Sequence, residues 1–212
     1  AFQRIVLGGE ALEGFVSRGF DDHTKLFFPE PGAAFAPPQV TEEGIDWGEG
    51  VRPATRDYTP LYDVERHELA YDFFIHDGGI ASRWALEAKV GDKLVIGGPR
   101  GSLVVPEDYA WQLYVCDESG MPALRRRLLG LRQLAVTPQV TAIVTIADAS
   151  YKDYLADLDG FNIEWVVGHN PAFVAERLAQ VKVPAEDYFI WLTGEGAVVK
   201  SLLARFEDES ID

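Results

Sequence analysis

Near Pro106 the hydrophobic texture of the chain changes, and this change commits it to two differently built halves. Before that point come short runs of apolar and β-branched residues, at 4–7, 24–28, 58–66, 68–76 and 93–97, broken by Gly and Pro. That spacing predicts an antiparallel β-barrel. Asp63 and Glu68 bracket a turn between two of the runs, which predicts a hairpin in the barrel's central meander. Residues 29–51 are rich in Pro, Gly and acids, follow no period and read as a long excursion. Beyond Pro106, buried-type strands at 112–116, 140–147, 163–167 and 188–192 alternate with helical patterns at 121–131, 171–179 and 197–206. Alternating β and α elements predict a parallel sheet. Asn170 followed by Pro171 marks a helix start, Asn as N-cap and Pro at the first helical position. The expected organisation is therefore a β-barrel over 1–107 and an α/β domain over 108–212.

Composition narrows the function classes. The net charge of −15 argues against nucleic acid, whose phosphates need clustered Lys and Arg. It also means that any anion site must be built locally, from a few well-placed cations, against a repulsive field that salt only partly screens. The lone Cys116 lies in an apolar run and reads as a buried strand thiol. His23, His67, His76 and His169 are scattered without ligand spacing, so no protein metal site is expected. No apolar run reaches membrane-spanning length, and a cytoplasmic monomer without membrane contact is expected.

Two segments carry recognisable chemistry. In Arg56-Asp57-Tyr58-Thr59, residues 56 and 58 share one face of a strand and 57 and 59 the other. Arg offers a planar fork for a diphosphate, Tyr a ring for stacking on a flat heterocycle, and Thr a short hydroxyl. Taken alone, the tetrapeptide reads first as an ordinary surface strand. The second segment runs His76-Asp77-Gly78-Gly79-Ile80-Ala81-Ser82-Arg83-Trp84 and leads into a helix. Its glycines let the backbone turn tightly toward a ligand, and a helix N-terminus favours phosphate. Trp84 reads equally as a residue packed onto the core.

Taken in order, Arg-x-Tyr-Thr, His-x-x-Gly-x-Ala-Ser-x-Trp-Ala, Gly-Asp-x-Leu, Gly-Pro-Arg-Gly-Ser and Asp-Glu-Ser before Pro122-Ala123 resemble the siderophore-interacting protein family of ferric-siderophore reductases. Asp22-His23-Thr24-Lys25-Leu26-Phe27-Phe28-Pro29 and Trp191-Leu192-Thr193-Gly194-Glu195 extend the resemblance over most of the chain. The resemblance implies a ferredoxin reductase-like pairing of an FAD-binding barrel with a nicotinamide-binding α/β domain. It assigns Arg56 and Asp57 to the FAD diphosphate segment, Tyr58 to the isoalloxazine and Thr59 to its reactive edge. Phe74, Ile75, His76, Ala81, Ser82 and Trp84 would complete the FAD site.

Asp117 and Ser119 lie in the loop after the first α/β strand, where the family more often has Thr at 119; Ser keeps the hydroxyl. That loop and Thr193-Gly194-Glu195 fall at strand carboxyl ends, where open α/β sheets bind ligands. There is no G-x-G-x-x-G, so the nicotinamide site rests on the resemblance. A Ser hydrolase is excluded by the missing G-x-S-x-G elbow. Lys25 and Arg100 are the candidate cations for a bulky anionic ferric siderophore, and the implied reaction releases iron(II). Electrons would come from NAD(P)H or from a ferredoxin-like protein. Two other readings stay open: a flavin oxidoreductase with another acceptor, and a ferric-siderophore-binding module without turnover.

Overall fold

The computed structural model describes residues 1–28, 37–42, 44–48 and 52–208 and divides into two compact units, Phe2–Leu103 and Val104–Asp212. In the first unit the chain runs through β1 (Phe2–Leu7), β2 (Thr24–Phe28), β3 (Gln39–Thr41), β4 (Gly44–Asp46), β5 (Ala54–Tyr58), β6 (Leu61–Asp63), β7 (Glu68–Phe74), α1 (Ile80–Glu87) and β8 (Val95–Gly97). Two antiparallel sheets, β1-β7-β6 and β5-β2-β8, form the barrel walls. Their inward rows, Leu26 and Phe28 of β2 and Leu69, Tyr71 and Phe73 of β7, are fully buried and meet Ala81 and Ala85 of α1.

Alternation along β1 turns Ile5 and Leu7 to this core and leaves Arg4 on the other face. There Arg4 clamps its cross-strand neighbour, the buried Asp72, with Nε and Nη2 each 2.7 Å from a carboxylate oxygen. Such a fork compensates a carboxylate for its lost water.

The run expected over 58–66 is in fact two pieces. Pro60 has no N–H to continue the ladder, so β5 ends at Tyr58 and β6 starts afresh at Leu61. The hairpin between Asp63 and Glu68 is present, with these two residues paired and Asp63 Oδ1 accepting the N–H groups of Glu65 and Arg66. Within the stretch read as an excursion, β3 and β4 pair as a short hairpin, and the Trp47 ring packs 4.9 Å from that of Phe27. Residues 29–36, 43 and 49–51 lie outside the described residues.

The second unit contains β9 (Trp111–Cys116), α2 (Met121–Leu131), β10 (Gln139–Ile146), β11 (Asn162–Val167), α3 (Pro171–Gln180), β12 (Tyr188–Leu192) and α4 (Gly196–Asp208). All four strands are parallel, in the order β11-β10-β9-β12. Every residue of β9 is buried, as a central parallel strand covered on both faces requires. Trp111, Leu113 and Val115 pack with Val174 and Leu178 of α3 and Leu202 and Phe206 of α4. Gln112, Tyr114 and Cys116 face α2. Asn170 caps α3 as its sequence predicts, its side chain accepting the Ala172 N–H at 3.0 Å. Residues 149–158, which carry no clear sequence period, form 3-10 turns started by Asp148, whose side chain accepts the Ser150 N–H.

Burial pushes the phenols of Tyr71 and Tyr114 up to about 12, and both rings are fully buried. A phenol raised on folding adds stability that is complete below its unfolded value near 10 and disappears as the pH rises through the folded value. Chemical denaturation between pH 9 and 12 is therefore expected to show a loss on the order of 2 kcal/mol per tyrosine, concentrated above pH 10. A flat stability curve to pH 12 would contradict this.

Candidate functional site

In the first unit, β5 sets the Arg-Asp-Tyr-Thr side chains. It pairs with β2 in the register Thr24↔Tyr58, Lys25↔Asp57 and Leu26↔Arg56. Arg56 and Tyr58 therefore share the face of Leu26, and Asp57 shares that of Lys25. The Tyr58 ring is half-buried, 4.5 Å from that of Phe73, and burial raises its phenol to about 12 against the opposing pull of the Arg56 guanidinium. Arg56 is exposed, and among the described residues its one hydrogen bond runs from Nη1 to the Thr55 carbonyl at 2.8 Å. Thr59 is half-buried just past the strand end.

After β7 the chain turns into α1. The Phe74 and His76 rings lie 6.3 Å apart and nearly parallel, with Ile75 between them packed toward the core. Ser82 is buried, and its Oγ accepts the His76 N–H at 3.1 Å and donates to the Phe74 carbonyl at 3.4 Å. The serine thus ties the strand end to the helix start. A side chain at Gly79 would lie 2.7 Å from His76 Cε1, and among the described residues no side chain caps α1, which leaves its first N–H groups without a capping side chain. The side chains of Ala81 and Trp84 point to the barrel core, with the indole 5.8 Å from the rings of Phe28 and Phe73.

Lys25 lies in the same sheet as Arg56, and Arg100 follows that sheet's last strand, β8. Lys25 Nζ is 2.8 Å and 3.1 Å from the Asp57 carboxylate oxygens, with both side chains about half exposed. Lys25 also pairs with Gly97 of β8, from which the chain passes through Gly98 and Pro99 to the exposed Arg100. Gly98 has φ +96°, and a Cβ there would approach His23 O, Thr24 Cα and Arg100 N, so the turn folds back over the start of β2.

In the second unit, a cavity of about 210 Å³ opens at the carboxyl ends of the parallel strands. Asp117, Glu118, Thr145, His169, Thr193 and Glu195 are among its lining residues. Asp117 Oδ1 accepts both the Ser119 N–H and its hydroxyl, a local turn that fixes the loop. Gly194 has φ +142°, and a Cβ there would lie 2.9 Å from Asp117 Oδ2, so only glycine lets the two loops meet. Cys116 forms part of the floor; burial drives its thiol well above the ordinary value, as expected for an inert strand cysteine.

A pair at this mouth has no local mark in the sequence. Glu118 is buried, takes the Ala147 N–H on Oε1, and lies 2.8 Å from His169 Nε2 through Oε2. The partners are 51 residues apart. The one available signal was their common position just past the ends of neighbouring parallel strands.

Residues 1–103 match the family model described as the siderophore-interacting FAD-binding domain, and residues 109–212 match the model described as siderophore-interacting protein. The NADPH-dependent ferric-chelate reductase of Escherichia coli (strain K12) is 71% identical over 211 residues, covering 100% of this chain and 83% of that protein. A siderophore utilization protein from T. fusca superposes with a TM-score of 0.86 at 30% identity, over 100% of this chain and 82% of the other. The ferredoxin-NADP+ reductase of Plasmodium falciparum, at 13% identity, superposes with a TM-score of 0.68 over 98% of this chain and 83% of its own. The expected ferredoxin reductase-like fold is therefore the one observed, an antiparallel β unit followed by a parallel α/β unit. With both halves matched and a relative this close, the chain belongs to the siderophore-interacting protein family.

Proposed function

We propose that this chain is an FAD-dependent reductase that takes electrons from NADPH and delivers them to ferric siderophores, freeing iron(II). The observation that carries the reading is the strand order β5-β2-β8: it puts Arg56 and Tyr58 one strand, about 5 Å, from Lys25, and Lys25 one strand from the turn bearing Arg100. Lys25 and the turn bearing Arg100 thus belong to the wall that carries the flavin residues, with Lys25 on the face opposite to Arg56 and Tyr58.

The residues present fit FAD. The bare first turn of α1, approached past Gly79, and the exposed Arg56 fork suit a diphosphate. The half-buried Tyr58 ring suits a flat heterocycle, and its raised phenol stays neutral at physiological pH. Asp57 holds Lys25. When bound, FAD supplies the means to accept a nicotinamide's electron pair and pass electrons singly to ferric iron. The protein's part is binding, orientation and charge, and no side chain needs to act as acid or base.

The name of the Escherichia coli relative supports NADPH over a ferredoxin-like donor, and the cavity at the sheet's carboxyl edge is where we place the nucleotide. A reaction drawing on NADPH belongs in the cytoplasm. Among the described residues no helix is long and apolar enough to cross a membrane.

An exposed ion pair such as Lys25–Asp57 contributes only about 0–1 kcal/mol, so an anionic chelate can take Lys25 over at little cost. Charge reversal, Lys25→Glu or Arg100→Glu, is expected to raise the KM for a tris-catecholate ferric chelate about 10- to 100-fold each, with FAD still bound. Steady-state kinetics on FAD-loaded variants checks this. Unchanged KM in both variants would remove the cations from the substrate site.

A further inference from the structure

We infer that Asp22 is a positioning residue for the substrate site: its buried carboxylate fixes the two segments that carry Lys25 and Arg100 relative to each other. The inference rests on the assignment of these two cations to the ferric chelate.

Asp22 is 4% exposed, among the most buried acids of the chain. Its Oδ2 accepts hydrogen bonds from Ser17 Oγ at 2.8 Å, the Gly19 N–H at 3.0 Å and Ser102 Oγ at 2.6 Å. The Ser102 oxygen in turn accepts the Arg18 N–H at 3.3 Å. Space around the carboxylate is closed: a Cβ at Gly19 would lie 2.6 Å from Asp22 Oδ1 and 2.7 Å from the Leu103 carbonyl. The carboxylate thus stands three residues before Lys25 and is bonded to a serine two residues after Arg100. It joins segments 80 residues apart in sequence.

Burying a carboxylate costs its hydration, and three donors on one oxygen are the compensation. Neither Lys25 nor Arg100 touches Asp22, and neither needs to. What the carboxylate sets is the backbone from which each cation projects. A turn already held in its bound geometry loses less freedom when a ligand arrives, so the effect falls on substrate affinity rather than on turnover.

Ser102→Ala severs the link between Asp22 and the Arg100 turn while leaving Ser17 and Gly19 in place; Asp22→Asn removes the charge in the same volume. Each is expected to raise the KM for a tris-catecholate ferric chelate about 5- to 20-fold, with kcat and FAD occupancy retained. Combined with Arg100→Ala, Ser102→Ala should add nothing, because it acts through that residue.

Denaturation midpoints of the variants separate this from simple loss of folding. If Ser102→Ala folds, and either leaves KM unchanged or adds fully to Arg100→Ala, the inference is wrong and the cation assignment stands. If Arg100→Ala itself leaves KM unchanged, the assignment fails, and this inference fails with it.

Discussion

Replacing Arg56 and Tyr58 together by Ala is expected to weaken FAD binding by at least about 100-fold, from the loss of one charge-assisted phosphate contact and one stacked ring. The two residues share one face of β5. Arg56 is exposed and bound only to its neighbour's carbonyl among the described residues, so Arg56→Ala should cost affinity without costing stability. Tyr58 differs, because its ring also packs 4.5 Å from Phe73. Tyr58→Ala should therefore also lower stability by roughly 1–2 kcal/mol, through a partly filled cavity. Fluorescence titration of flavin-free protein with FAD, beside a thermal melt, separates the two effects. A double variant that binds FAD within threefold of the parent would show that the flavin lies elsewhere.

The largest stability effect is expected in the second unit, at Arg127. This buried guanidinium donates to the Tyr114 hydroxyl at 2.8 Å, to the Val105 and Pro106 carbonyls at 3.1 and 2.6 Å, and to Gln112 Oε1 at 3.1 Å. The Tyr114 hydroxyl in turn donates to Gln112 Oε1. Arg127→Ala opens a cavity beneath α2 and strips donors from four acceptors in one step. The expected cost is about 3–5 kcal/mol, or on the order of 10 °C in Tm. Arg127→Met, which fills the volume but donates nothing, should recover less than half of that loss. Destabilisation below about 1 kcal/mol in the Ala variant would mean that water replaces the guanidinium without penalty.

Where local chemistry alone sets an element, the sequence is a sufficient guide. The bounds of β2, α2 and β12 coincide with their apolar runs, and α3 starts at the Asn-Pro pair, because alternation, helical period and capping act over a few residues. Tertiary partners decide the rest. The β3–β4 hairpin is held in part by Trp47 against Phe27, a contact that no period announces. Trp84 carries a dual sequence reading, and the structure turns its ring to Phe28 and Phe73. Lys25 reads as a lone cation, yet it has Asp57 opposite it, a pairing fixed by strand register.

The Glu118–His169 pair and the Asp22 clamp are of the same kind. Each depends on residues brought together from distant segments, and each consists of residue types that occur singly on many surfaces. Long-range polar pairing of buried groups leaves no periodic mark in a sequence. The motif chemistry was legible for another reason: Arg-x-Tyr-Thr and the Gly-Gly turn into α1 are contiguous segments, with their geometry fixed by neighbours in the chain.

The most direct measurement is anaerobic stopped-flow mixing of the NADPH-reduced, FAD-loaded protein with a tris-catecholate ferric siderophore, followed at the flavin absorbance. Flavin reoxidation is expected to outpace that of free reduced FAD at the same concentration by more than about tenfold, to saturate with chelate, and to lose that saturation when Lys25 and Arg100 are both reversed to Glu. A rate equal to that of free reduced FAD, and indifferent to both charge reversals, would contradict ferric-siderophore reduction by this protein.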